Sequence, residues 1–398
     1  MKHSSWAGML LAPVMAGVTL MAGATTAMAQ GTSASIFTSA SAHLGSVPSA
    51  MTSKQSKPSH SKPMGSSMSG SSSTTSMKSM VQASDLLFGP AASPPMGPGN
   101  GQVNLLDSRK ASVMAIPLAQ GANAFKSAVD GHVAYVPTLQ GTTYVVNLLS
   151  RKVITTFSTP KGARIADIAK RNHLLLITGP TSVTAYALPS RKLVWTANVG
   201  GNTLAVAGRY AYVSGNALKT TQIVDLATGK VTGSIPVGMI EDSVYDAKRH
   251  TLWLADFTNG DMTIVNTKDN KVERVIQEKE GGGFSMADMS NKKAMMMAKG
   301  GFMQLAVGPQ GKHVYAASFS GNIMVYDATN NTFKGDISTL PMAKLSGIAI
   351  DPSGRYAYTT VENQMETIAV SLKTDKVVAT YPKVESNRWS VIKPMGMS

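Results

Sequence analysis

The chain has 398 residues and no cysteine. That absence removes disulfides, thiol catalysis, iron–sulfur ligation and the CxxCH mode of haem attachment. Aromatic residues make up only 6% of the chain, and they are not interleaved with basic ones. A stacking groove for nucleic acid is therefore not built into the sequence, and no specific nucleic-acid partner is expected. Any contact with DNA would be non-specific and salt-sensitive. There is no GxSxG, and "EGGGFS" (residues 280–285) lacks the lysine and the strand-to-helix setting of a phosphate loop. The oxygen-rich "GDMTIVNTKDN" does not have EF-hand spacing. Acidic residues are few, 22 against 37 basic, for a net charge of +15. Residues 1–100 hold five lysines and a single acidic side chain, so most of the excess lies in the rest of the chain. A basic surface of this kind suits an anionic envelope polymer or an acidic envelope protein as partner.

Lys2 and His3 lead into an apolar run over about residues 7–23 that ends at Ala27-Met28-Ala29. This layout predicts a secretory signal over residues 1–29, cleaved before Gln30, and a periplasmic or secreted chain. No later run approaches membrane-spanning length, so no transmembrane segment is expected after cleavage. Residues 30–100 are mostly Ser, Met, Lys, Pro, Thr and Gly and read as a flexible tether, with a short strand at "SDLLFG", Ser84–Gly89.

From residue 101 the chain repeats itself with a period of about forty residues. The clearest unit, "LSGIAIDPSGRYAYTTVENQMETIAVSLKTDKVVATYPKV", runs from Leu345 to Val384. Copies begin at Phe302, Asp242 and Asn202, and weaker ones near Asn123 and Ala163. Four short alternating strands per period predict propeller blades. "GQVNLLDSRKASVMAIPLAQG" matches the last two strands of a unit and "SNRWSVIKP" a first strand. Joined, they predict a seven-bladed β-propeller, all-β, closed by strands from both ends of the chain. The stretches "DGHVAYVPTLQGTTYVVNLLSRKVITTF", "GRYAYVSG", "GRYAYTTVEN" and "DLATGKVTGSIPVG" resemble the YVTN-type (YncE-like) family of propeller repeats. The resemblance implies the fold and leaves binding modules, lactonases and dehydrogenase-like domains open.

His132, His173, His250 and His313 each occupy the turn before the second strand of a unit, which spreads them around one face and argues against a shared metal. On the opposite face, the channel mouth, the repeat places Lys126, Arg164, Asp167, Gln304, Lys344, Arg388 and Trp389 as ligand- or partner-binding candidates. Glu241 and Asp242 form an adjacent carboxylate pair there. The family resemblance makes them weak catalytic candidates, because lactonase-type propellers hold a metal or water with acidic side chains at such a mouth.

Residues 281–301 are extra to the repeat, an insertion on the mouth face that carries most of a methionine cluster. As a helix, "SMADMSNKKAMMMAK" would place Met286, Met289, Met296 and Met297 within an arc of roughly 100°. That stripe reads either as a lid packed on the channel rim or, with Met303, as thioether ligands for Cu(I) or Ag(I). Lys292, Lys293 and Lys299 beside the sulfurs weigh against a cation. The functional expectation is a non-enzymatic, monomeric binding scaffold with no cofactor. Copper handling and lactone hydrolysis are the alternatives.

Overall fold

The computed structural model describes residues 85–93, 97–215, 218–256, 260–277 and 301–392. The strands form seven antiparallel sheets of four. Six are continuous in sequence, with inner strands Ala128–Asp130, Ile165–Ala169, Thr203–Ala207, Ile240–Asp246, Phe302–Val307 and Leu345–Ile350. These open blades 1 to 6 in order. The seventh takes its inner strand, Ser390–Ile392, from the C-terminal end and the other three from the N-terminal side. The seven-bladed propeller expected from the repeat is what the chain forms. Among the described residues the only helical turn is the short 3-10 segment Lys170–Asn172.

Burial follows strand order, and the sequence shows why. Second strands such as "LLLIT" (Leu174–Thr178) and "TLWLAD" (Thr251–Asp256) are buried along their whole length. They lie between two neighbouring blades, so both faces must be apolar. Outer strands such as Lys271–Gln277 are exposed almost throughout. The core divides into seven clusters, and each joins two adjacent blades. Two of them sit on either side of blade 7: Leu87 and Leu106 pack against Tyr358 and Tyr381 of blade 6, and Phe88 and Val103 against Ala134 and Val136 of blade 1. Burial is therefore continuous around the ring.

The hairpin before each outer strand is a second repeated device. Ala111, Arg151, Arg191, Gly229, Asn270, Asn331 and Asp375 all take positive φ there. In four blades the side chain at the end of the preceding strand, Asp107, Asn147, Asp225 or Asp327, accepts two backbone N–H groups of the turn. Side-chain acceptors and left-handed residues together fix a tight hairpin.

The second strand of blade 7, Leu86–Pro90, corrects the expected domain boundary. It lies in the stretch assigned to the tether, and it pairs with Gln102–Asp107 on one side and with Ser390–Ile392 on the other. The propeller therefore starts near Asp85 instead of residue 101. The short strand expected at Ser84–Gly89 is present, but the low-complexity composition around it hid its place in the propeller; its Leu87 and Phe88 are fully buried. Phe88→Ala should cost about 3–5 kcal/mol in chemical denaturation. A cost near that of a surface change, about 0.5 kcal/mol or less, would show that this strand is not part of the core.

Candidate functional site

The inner strands line the central channel, and the residues just ahead of them form its mouth. Arg388, Lys126 and Arg164 precede the inner strands of blades 7, 1 and 2, so three neighbouring blades present a cationic arc. Glu241 and Asp242 stand on blade 4, across the channel. The backbone holds two of the cations side by side. Phe125 and Lys126 N–H both donate to Arg164 O, at 3.3 and 3.1 Å, and Ala166 N–H donates to Lys126 O at 2.9 Å. This is a parallel bridge between adjacent inner segments.

Arg388 spans the channel. Its Nη1 donates to Asp242 Oδ2 on blade 4 at 2.5 Å, and its Nη2 to Leu305 O on blade 5 at 3.1 Å. The same carboxylate oxygen accepts Leu305 N–H at 2.8 Å, and Asp242 Oδ1 accepts the Thr203 hydroxyl at 3.4 Å. The pair is buried, with 11% and 5% of the two side chains exposed. Both oxygens of Asp242 are thus engaged in holding Arg388 and three blades together. Glu241, its partner in the expected carboxylate pair, is part-exposed and falls at a bulge in the strand register, so the two carboxylates are differently placed.

Lys126 and Arg164 are bound less fully. Lys126 Nζ donates to Leu204 O on blade 3 at 3.1 Å. Burial in the channel pushes its amine below the usual lysine range. Arg388 adds to that shift, and Asp167 and Asp242 oppose it. Arg164 Nη1 donates to Asn123 Oδ1 at 3.2 Å, and its guanidinium lies 4.8 Å from the Phe125 ring centroid. Burial brings Arg164 down to about 10, with Glu241 acting against the shift. Among the described residues neither cation has a carboxylate within 4.0 Å. Asp167 accepts the N–H of Ile168 at 2.8 Å. Gln304 Nε2 donates to Asn387 O at 2.6 Å, whereas its Oε1 is buried without a partner.

Two of the expected mouth residues turn inward. Lys344 is 5% exposed and donates to Phe319 O at 2.7 Å, while Trp389 is 2% exposed and its indole N–H reaches Thr360 and Thr367. Repeat position put both at the mouth, but side-chain direction put them in the core. Glu362 lies in a mouth loop of blade 6, just after the strand Tyr356–Val361. Burial raises its carboxyl above the usual 4.5; the Ser346 hydroxyl opposes the shift and the charge of Glu385 adds to it.

The histidines stand where the repeat put them. His132 and His173 lie in the turns before second strands and His313 begins one, all on the face opposite the mouth. Among the described residues no three His, Asp or Glu converge as metal ligands. Met286, Met289, Met296 and Met297 lie outside the described residues. Met303 is described, part-exposed, at the bulge between buried Phe302 and Gln304. No helix among the described residues is long and apolar enough to cross a membrane.

Searched by sequence, the chain matches no family model and no curated protein. Its structure is similar to hydrazine synthase of Kuenenia stuttgartiensis, with a TM-score of 0.54 at 14% identity, over 75% of this chain and 90% of that one. At that identity the likeness bears on the fold alone.

Asp242→Asn should destabilise the protein by about 3–5 kcal/mol in urea, because it leaves a buried guanidinium uncompensated. Pairing it with Arg388→Met should recover part of the loss. A single-mutant cost of about 1 kcal/mol or less, the range of surface pairs, would show that the spoke is not structural. Glu362 generates a pH effect. Its folded carboxyl keeps a proton above 4.5, so its contribution to stability is complete below that pH and is lost as pH rises through the raised folded value. Glu362→Gln should flatten this decline in a series of denaturation midpoints. An unchanged slope would locate the pH dependence elsewhere.

Proposed function

We propose that this chain is an exported, non-catalytic binding scaffold of the YVTN-type propeller kind, which engages a ligand or an envelope partner through its channel mouth. The observation that carries this reading is the division of labour among the mouth charges. Asp242, half of the pair that hydrolysis would need, is consumed by Arg388, Leu305 N–H and Thr203. Lys126 and Arg164 are instead set on rigid backbone, part-exposed and, among the described residues, without a carboxylate in ion-pair range. Side chains preorganised in this way suit recognition more than proton transfer. The net charge of +15 would draw acidic partners toward the same face.

The two faces provide the test. Hydroxyl-radical footprinting of the full chain with envelope extract should protect Phe125 and Met303 at the mouth. His132, His173 and His250, exposed on the opposite face, should remain reactive. Protection of the histidine face, or of neither face, would overturn the proposal. Lactone turnover that disappears in Glu241→Gln would replace it with a hydrolase.

A further inference from the structure

We infer that Lys126 and Arg164 form the seat of a small-oxyanion site at the channel mouth, which takes a carboxylate or phosphate group of the ligand. This rests on the scaffold reading and names the chemistry that the mouth would recognise.

The argument begins with what the two cations lack. A lysine or arginine withdrawn from water needs compensating charge, and interior cations are ordinarily paired. Arg388 on the same arc meets that need through Asp242. Among the described residues Lys126 and Arg164 do not: the one meets a backbone carbonyl, the other an amide oxygen and an aromatic face. Among the described residues, Asp167, Glu241 and Asp242 are the carboxylates whose charges act on the two cations, and no ion pair joins either cation to one of them. Asp242 is spent on Arg388, and Asp167 accepts a backbone N–H of its own strand.

Geometry makes this gap a site. The main-chain bridge between Lys126 and Arg164 fixes the bases of both side chains relative to each other, so an anion meets two preset donors. Lys126 keeps two ammonium hydrogens beyond the one given to Leu204 O, and the guanidinium has donors beyond the one given to Asn123. Both residues are part-exposed, so an oxyanion reaches them from solvent. On the Arg388 side, the buried Gln304 Oε1 is an acceptor without a donor. Burial weakens the charged forms of both cations, and an arriving oxyanion would restore them.

The test is calorimetric titration of the full chain with inorganic phosphate and, separately, with acetate, at constant ionic strength made up with chloride. One of the two should bind saturably, and which one does tells a phosphate ligand from a carboxylate ligand. Lys126→Met and Arg164→Gln should each weaken that binding by about tenfold or more, as expected for loss of a charge-assisted contact. Lys110→Met, on an exposed turn, should leave it unchanged. Far-ultraviolet circular dichroism and the unfolding midpoint would establish that each variant folds. The Lys126→Met midpoint should be no lower than that of the parent, because a part-exposed cation with no ion-pair partner among the described residues has been removed. No saturation by either anion, or equal affinity in the parent and both mouth variants, would overturn the inference. A partner that still protects the mouth in footprints of Lys126→Met and Arg164→Gln would also overturn it, while leaving the scaffold reading in place.

Discussion

Ring closure is the constraint on which the rest of this molecule depends, and four residues concentrate it. Ser386 donates to Pro90 O of blade 7 and accepts from Thr360 of blade 6, and Asn387 donates to Ala124 O ahead of blade 1. Arg388 reaches across the channel to blades 4 and 5, and Trp389 fills the core between blades 6 and 7. The backbone must come very close for this to work. A Cβ on Gly89 would lie 2.5 Å from Arg388 O, and one on Gly347 2.7 Å from Ser386 O. Glycine at Gly347 serves doubly, since its φ of 59° lies in the left-handed region. The short segment is thus both the last seam of the ring and a spoke through its middle.

That arrangement also sets a buried ion pair inside the channel. Side chains from inner strands converge on one another, and the buried pair at its centre is worth far more when intact than when half-removed. Periphery and centre differ sharply here. Arg209 holds Asp225 at 2.6 Å on the surface of blade 3, but its guanidinium is well exposed and such a pair contributes little. The same two residue types, moved into the channel as Arg388 and Asp242, link blades that share no strand ladder.

Much of the fold was readable because it is periodic. Each blade repeats the same strand pattern and the same left-handed hairpin before its outer strand, so a forty-residue comparison recovers six blades and three strands of the seventh. What escaped was aperiodic. Leu86–Pro90 was legible as a short strand, but it has no counterpart at its sequence neighbours' spacing and sits in Ser- and Gly-rich surroundings, so only its pairing assigns it to the propeller. The contact of Arg388 with Asp242 joins positions 146 residues apart, at non-equivalent places in their repeats, and no pattern signals it. Lys344 and Trp389 show the matching limit: repeat register gives a position on the ring, but whether a side chain faces channel or core depends on the local bulge. Lys126, Arg164, Asp167, Gln304 and Arg388 were legible as a set because they share register. Their division into spent and unspent charge was not.

The pairing of Leu86–Pro90 with Ser390–Ile392 also sets the timing of folding. The two strands are about three hundred residues apart, so nearly the whole chain must be made before the second strand of blade 7 acquires its inner neighbour. Until then blades 1 to 6 form an open arc with an unpaired edge at each end, a state prone to wrong pairing. Closure of blade 7 is thus the last strand pairing that this fold can make.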